Sequence, residues 1–237
     1  MQRKKTTAIV LAAGQGKRMQ SKIQKQYMLL EDKPILYYCL KTFQDSFINH
    51  IVLVVGADEQ EYCQKEIIDK FGFDKVEAVV EGGKERYHSV ANGIKAIIWE
   101  NDMVFIHDGA RPFVTEEILQ RAYEEVNTSH ACVVGMPVKD TVKIADSKRM
   151  VVNTPNRADV WQVQTPQVFD MTLIAESYNK LIQQEEELLK QNVLITDDAM
   201  VVEYFSDVSI KLVEGSYQNI KITTPEDMCI AKAFMEM

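Results

Sequence analysis

Short apolar runs alternate along the chain with stretches in which apolar residues recur every three or four positions. Runs of the first kind predict buried β-strands, and stretches of the second kind predict amphipathic helices. Strands are predicted at residues 8–13, 50–56, 76–80, 103–108, 131–138 and 209–213. Helices are predicted at 34–43, 59–71, 115–127, 171–191, 196–204 and from 225 onward, and the loop at 81–93 passes into a further helix that runs to about residue 99. Because the two kinds of element alternate with short connections, we expect a single α/β domain over residues 1–237, with a doubly wound, mostly parallel sheet.

One segment, residues 139–166, interrupts this alternation. It contains no stretch of helical period, only short β-rich pieces separated by polar turns. We interpret it as an extended β-arm that projects from the sheet. A two-stranded arm is marginally stable alone in water, so we expect it to pack against a partner subunit. The alternative is a long edge hairpin folded back on its own domain.

The loop after the first predicted strand has the composition of a phosphate-binding site. Gly14 and Gly16 allow close approach of backbone N–H groups to a ligand, and Arg18 and Lys25 add positive charge. The dinucleotide fingerprint requires a third glycine where Met19 stands, and no Gly-Lys-Ser/Thr follows for a Walker loop. An ordinary turn with solvated cations is the alternative.

Loops after later strands carry further candidate ligand contacts, because ligands of such sheets bind beyond the carboxyl ends of the strands. Two glycines precede Arg86 and Ser89, which suit a base or a phosphate, although a plain turn has the same pattern. Asp108 ends an apolar strand, where its carboxylate suits Mg²⁺; the alternative is a buried carboxylate paired with Arg111. Lys221 precedes the last helix at a similar carboxyl-end position.

Composition narrows the class of protein. The net charge of −8 argues against a nucleic-acid partner, which requires a broad basic face. Four cysteines and four histidines are scattered without zinc or redox spacing, and no apolar stretch of membrane-spanning length occurs. The short apolar run at the start leads directly into a charged loop, so we expect no signal peptide. A cytoplasmic protein without membrane or nucleic-acid partners is therefore expected.

Seven motifs occur together and in order, and their combination is far more specific than any one of them. With them the chain resembles, over essentially its full length, the 2-C-methyl-D-erythritol 4-phosphate cytidylyltransferases of the non-mevalonate isoprenoid pathway. The motifs lie at residues 12–19 with 25–27, 82–86 with 89–90, 107–112, 140–143, 164–167, 196–197 and 219–223.

The resemblance implies a Rossmann-like nucleotidyltransferase fold and a homodimeric enzyme that transfers CMP from CTP to methylerythritol phosphate with Mg²⁺, releasing pyrophosphate. By matching positions, Arg18 and Lys25 would be catalytic, Asp108 would bind the metal, and the arm of the neighbouring subunit would supply Thr141 and Arg157. The other implied nucleotide-binding residues are Ala12, Ala13, Gly14, Gly16, Gly83, Arg86 and Ser89, and the other substrate-positioning residues are Thr196 and Lys221.

Three other functions stay open from the sequence. A ribitol 5-phosphate cytidylyltransferase has a related cradle and metal motif, but the segments 140–143 and 154–157 look more like the methylerythritol enzymes. A catalytically silent nucleotide-binding protein is disfavoured by the retained Arg18, Lys25 and Asp108. A nicotinamide oxidoreductase is disfavoured by Met19.

Overall fold

A computed structural model describes residues 3–14, 16, 19 and 24–236. In chain order, the strands are β1 (Thr6–Ala12), β2 (Leu29–Leu30), β3 (Lys33–Pro34), β4 (His50–Val55), β5 (Val76–Glu81), β6 (Met103–Asp108), β7 (Ala131–Pro137), β8 (Ile144–Ala145), β9 (Val151–Asn153), β10 (Trp161–Asp170) and β11 (Lys211–Glu214). The α-helices are α1 (Ile35–Asp45), α2 (Gln60–Cys63), α3 (Arg86–Lys95), α4 (Glu116–Ser129), α5 (Met171–Lys190), α6 (Asp198–Phe205) and α7 (Pro225–Met235). Lys25–Tyr27 forms a short 3₁₀ turn, and Gln64–Asp69 continues α2 as a π-helix.

Seven strands form the main sheet in the order β11-β7-β10-β6-β1-β4-β5. All neighbouring pairs are parallel except those that β10 makes with β6 and β7. From β1 the chain adds β4 and β5 on one side and then returns to place β6 on the other. The carboxyl ends of β1 and β6 therefore flank the point where the strand order reverses, which is where such sheets bind ligands.

Alternate residues of the strands point to opposite faces, and each face is covered by helices. Ala8 and Val10 of β1 pack into one core cluster with residues of α1 and α4, whereas Ile9 packs into the other with residues of α3, α5 and α6. Both clusters are formed by side chains that are almost completely buried. The predicted doubly wound, mostly parallel α/β fold is confirmed.

The boundary predicted for the β-arm is wrong at its carboxyl end. Residues 161–166, which the sequence assigned to the arm, begin β10, an antiparallel strand inside the main sheet. The projecting part ends near Val160: residues 139–160 are almost all exposed, and β8 and β9 pair within them as a small hairpin. The sequence suggested a projecting segment because residues 139–166 contain only short β-rich pieces. Within β10, the polar side chains of Gln164, Thr165 and Gln167 are buried and hydrogen-bonded.

Candidate active site

A cavity of about 530 Å³ opens at the carboxyl ends of β1 and β6. Its size lies within the range of about 300–1,000 Å³ that is usual for small-molecule sites. Its lining comes from the loops that follow β1, β5 and β6 and from the segment before α7. The lining residues are Leu11, Ala12, Ala13, Gly14, Gly16, Lys25, Gln26, Gly83, Lys84, Glu85, Arg86, Ser89, Asp108, Ala110 and Lys221.

The first wall is the loop after β1, and its far end is anchored from both sides. Gly16 has a φ of +61°, a left-handed conformation that glycine adopts without strain. Buried Gln26 donates from Nε2 to the carbonyl of Ala12 at 2.5 Å. Tyr27 donates its hydroxyl to Glu59 Oε2 at 2.7 Å. These two bonds fix the turn that carries Lys25 against the cavity.

The second wall is the glycine pair that follows β5. A Cβ atom on Gly82 would lie 2.4 Å from the Cβ of Ala13, so the two loops approach closely only because this position has no side chain. The next residue, Gly83, donates its backbone N–H to Ser89 Oγ at 3.0 Å. This contact ties the glycine loop to α3, and Arg86 begins that helix beside the cavity.

Three cations surround Asp108 at the end of β6. Its carboxylate lies 2.9 Å from Lys221 Nζ, 3.6 Å from Arg111 Nε and 3.7 Å from Arg86 Nε. Burial alone would raise the pKa of this carboxyl group, but the charges of Lys221, Arg86 and Arg111 outweigh it and hold the pKa well below its ordinary value. Asp108 is therefore ionised throughout the physiological range, and it is paired with Arg111, as the alternative reading of the sequence expected.

Arg86 also pairs with a second carboxylate. Its two terminal nitrogens donate to the two oxygens of Asp198 at 2.7 and 2.8 Å, which is a bidentate pair. Asp198 is fully buried, and it also accepts from the hydroxyl of buried Tyr178 at 2.6 Å. Burial and the neighbouring Asp198 raise the pKa of Tyr178 well above its ordinary value, so its hydroxyl keeps the proton that it donates.

A hydrogen-bond chain supports Asp108 from behind. Thr165 Oγ1 accepts the backbone N–H of Asp108 at 3.0 Å and lies 3.1 Å from Nδ1 of His107. The other ring nitrogen of His107 lies 3.1 Å from the carbonyl oxygen of Arg111. Burial lowers the pKa of His107 to about 4. The ring is thus neutral near pH 7, with Nε2 donating to Arg111 and Nδ1 accepting from Thr165.

The cavity brings together most of the predicted site residues: Ala12, Ala13, Gly14, Gly16, Lys25, Gly83, Arg86, Ser89, Asp108 and Lys221. Three others do not line it. Thr141 and Arg157 lie on the exposed arm, where Arg157 donates to the carbonyl of Lys139, and Thr196 lies on the surface before α6. Arg18 lies outside the described residues.

Two residues beside the site, Tyr178 and Asp198, carried no recognisable signal in the sequence and lie only within predicted helices. Thr165 lies within the motif at residues 164–167, but no role was assigned to it. The contact between Asp198 and Arg86 joins residues 112 positions apart, which no local pattern shows. Lys84 and Glu85 line the cavity and lie within the motif at residues 82–86, but no role was assigned to either of them from the sequence.

Two features are absent from the part of the chain that the structure describes. No group of three or more His, Cys, Asp or Glu side chains is arranged to hold a metal ion. No helix there has both the length and the apolar character needed to cross a bilayer.

Comparison with known proteins decides the family. The model of the 2-C-methyl-D-erythritol 4-phosphate cytidylyltransferase family, IspD, matches residues 6–237. The chain belongs to this family. A 2-C-methyl-D-erythritol 4-phosphate cytidylyltransferase of Lachnoclostridium phytofermentans is 50% identical over 231 residues, which cover 98% of this chain and 96% of the relative. One of Lachnospira eligens is 48% identical over 233 residues, covering 97% and 99%.

Solved structures of the cytidylyltransferase family have the same fold. The crystal structure of a 4-diphosphocytidyl-2C-methyl-D-erythritol synthase from Anaerococcus prevotii matches with a TM-score of 0.84 and 33% identity, covering 99% of this chain and 97% of that one. The resemblance inferred from the seven motifs is confirmed, and so is the enzyme class, a nucleotidyltransferase.

Proposed function

We propose that the enzyme transfers CMP from CTP to 2-C-methyl-D-erythritol 4-phosphate, giving 4-diphosphocytidyl-2-C-methyl-D-erythritol and pyrophosphate. The observation that carries the proposal is the cavity in which Lys25, Lys221 and Asp108 meet at the reversal point of the sheet. The family model and relatives of nearly equal length support the substrates, since those relatives are named for this reaction.

The reaction needs positive charge more than it needs a general base. The attacking oxygen belongs to a phosphate whose second pKa is about 6, so it is already ionised near pH 7. The nearby imidazole of His107 has both nitrogens occupied, which agrees with a reaction that requires no proton acceptor. The barrier instead comes from two polyanions that must approach while charge builds on the α-phosphate and the leaving pyrophosphate.

The residues of this chain meet that requirement by position. Lys25 and Lys221 both line the cavity, where ammonium groups can neutralise phosphate oxygens as charge develops. Backbone N–H groups of the loops that contain Gly14, Gly16 and Gly83 provide further donors for the nucleotide. Arg18, whose position matches the family motif, is proposed to act with Lys25.

The donor set fits Mg²⁺ that arrives with the nucleotide. Mg²⁺ is usually held by one or two carboxylates, several waters and the phosphates of the substrate. Asp108 provides one buried, ionised carboxylate on the cavity wall, and the described residues offer no cluster for a metal held by protein alone. When bound, the ion would offset charge on the α- and β-phosphates. Asp108 is the residue proposed to hold it. The ammonium group of Lys221, which contacts Asp108 at 2.9 Å, would then turn toward the substrate phosphates.

The β-arm is proposed to form a homodimer and to reach the neighbouring site. Its side chains include the exposed apolar residues Ile144, Met150, Val151 and Val152, which an isolated chain would leave in water. Thr141 and Arg157 are proposed to position the sugar phosphate of the partner, since neither lines the cavity of its own chain. Thr196 is proposed to assist at the same end.

The cell compartment is proposed to be the cytoplasm. Cys39, Cys63 and Cys132 are buried free thiols, and burial raises the pKa of each, so they are unreactive packing residues. Such usage is typical of reducing compartments.

A pyrophosphate-release assay with two acceptors tests the function. Purified enzyme, CTP and Mg²⁺ are incubated with methylerythritol phosphate or with ribitol 5-phosphate. We expect release with the first acceptor only. Release with ribitol 5-phosphate alone would replace the proposed substrate, and CTP binding without release from either would indicate a silent nucleotide-binding protein.

A further inference from the structure

The first turn of α6 contains a fully buried carboxylate, Asp198, that the proposed chemistry does not use. A buried charge is unfavourable unless it is paired and hydrogen-bonded. Asp198 satisfies this requirement with the bidentate bonds from Arg86 and the hydroxyl of Tyr178. The negative charge of Asp198 therefore acts mainly on Arg86, a residue that lines the cavity.

The orientation of Arg86 shows what this pairing does. Both terminal nitrogens of the guanidinium are bound to Asp198, so only the Nε edge faces Asp108, at 3.7 Å. That distance is too long for a hydrogen bond, whereas Lys221 contacts the same carboxylate at 2.9 Å. Arg86 thus contributes charge near Asp108 without chelating its oxygens.

One strand sets the position of both carboxylates. On β10, Thr165 accepts the backbone N–H of Asp108. Two residues later, Gln167 Oε1 accepts the backbone N–H groups of Asp198 and Ala199 at 3.0 and 2.9 Å. Because Thr165 and Gln167 are both buried, the separation of Asp108 from Asp198 is fixed by the strand between them.

We propose that Asp198 and Tyr178 are positioning residues of the nucleotidyl-transfer site: they hold Arg86 so that it cannot capture the Asp108 carboxylate that Mg²⁺ requires. The inference rests on the proposed function. It makes the fixed orientation of Arg86 a condition for metal binding at Asp108, in addition to any contact that Arg86 makes with the nucleotide. Without Asp198, the guanidinium loses its partner and turns toward the nearest remaining carboxylate, which is Asp108.

The test is Asp198→Asn, with two measurements on the full-length enzyme. The Mg²⁺ concentration that gives half-maximal turnover should rise about 10- to 100-fold, the effect usual for outer partners of a metal ligand. CTP binding measured by calorimetry without divalent metal should be unchanged or tighter, because the variant removes a negative charge behind Arg86, a residue that lines the cavity. A merely structural defect would weaken both.

A double variant separates the pathway through Arg86 from local damage. Arg86→Gln/Asp198→Asn lacks the Arg86 guanidinium that loss of Asp198 would otherwise release toward Asp108, while Arg111 stays in place beside Asp108. Its Mg²⁺ half-saturation should therefore return toward the value of Arg86→Gln alone. An Asp198→Asn effect that persists in full in the Arg86→Gln background would overturn the proposal, as would an unchanged Mg²⁺ requirement in folded Asp198→Asn.

If Asp198→Asn does not fold, Tyr178→Phe provides a second test of the proposal. It removes one hydrogen bond from Asp198 without changing charge, and it should raise the Mg²⁺ half-saturation in the same direction by a smaller factor. The matched control is Tyr87→Phe, since the Tyr87 hydroxyl also donates to a carboxylate, that of Glu185 at 2.7 Å. Equal Mg²⁺ requirements in Tyr178→Phe and Tyr87→Phe would contradict the proposal.

Failure of the proposed function would be seen separately. If the wild-type enzyme releases no pyrophosphate with methylerythritol phosphate, the function is wrong. The effect of Mg²⁺ on CTP affinity in the wild type and in Asp198→Asn still tests the positioning role. A smaller enhancement by Mg²⁺ in the variant supports that role, and an equal enhancement overturns it.

Discussion

Replacing Thr165 by Val removes the hydroxyl that joins the end of β6 to β10. The change nearly conserves shape, so the packing around residue 165 stays the same. It deletes the acceptor of the Asp108 backbone N–H and the donor to His107 Nδ1, in a site that is 4% exposed. Because Thr165 is buried, few water molecules can reach it to replace either bond.

The expected loss of stability follows from these two groups. A buried polar group left without a partner costs about 1–3 kcal/mol. Since one donor and one acceptor are orphaned, the free energy of unfolding should fall by roughly 2–6 kcal/mol. Turnover should fall as well, because the backbone that carries Asp108 is no longer held in place.

Urea unfolding followed by circular dichroism measures the first effect, and pyrophosphate release measures the second. The control is Thr128→Val, which removes a hydroxyl that donates to the Glu125 carbonyl on the exposed face of α4. We expect this variant to stay within about 0.5 kcal/mol of wild type. If Thr165→Val is as stable as Thr128→Val, the hydroxyl chain does not support the site and the reasoning fails.

Three further predictions follow from the site, the buried imidazole and the arm. Lys25→Ala should lower kcat by about 10²–10³-fold with an unchanged circular dichroism spectrum, by analogy with loss of an oxyanion-hole donor; near-normal kcat would remove Lys25 from the mechanism. Burial lowers the pKa of His107 from 6.5 to about 4, so the unfolded chain binds a proton that the folded chain does not. Stability should then decrease by up to about 3 kcal/mol as pH falls through this interval, and His107→Asn should lose that part of the pH dependence in urea titrations; identical dependence in both proteins would contradict this. Mixed dimers of Arg157→Ala and Lys25→Ala subunits, each inactive alone, should recover about a quarter to a half of normal activity if each site uses the partner's arm; no recovery despite confirmed subunit exchange would show that the sites are not shared.

The parts of the fold that followed from the sequence are those in which burial coincides with apolar side chains. Strands β1, β4 and β6 each contain an apolar run of four or more residues, and the rule for ligand sites in parallel sheets then placed Gly14, Gly83 and Asp108 near one edge. The structure brings all three to one cavity.

The position of β10 inside the main sheet was missed for the opposite reason, although residues 161–166 were recognised as part of a β-rich segment. Its central residues are polar, and their burial is made favourable by partners far away in sequence: Gln164 with Ser216, Thr165 with His107, and Gln167 with Asp197. Hydrophobic periodicity cannot show that such a strand is buried in the sheet, because the stabilising contacts exist only in the fold. The pairing of Arg86 with Asp198 was unpredictable on the same physical ground.

The central claim is that one cavity at the ends of β1 and β6 gathers the cations that allow two phosphorylated reactants to meet. A crystal structure with CTP and Mg²⁺ tests it most directly. The account predicts the triphosphate in the cavity, in contact with Lys25, with the metal bound to Asp108. A triphosphate bound on any other face, with this cavity filled only by water, would contradict it.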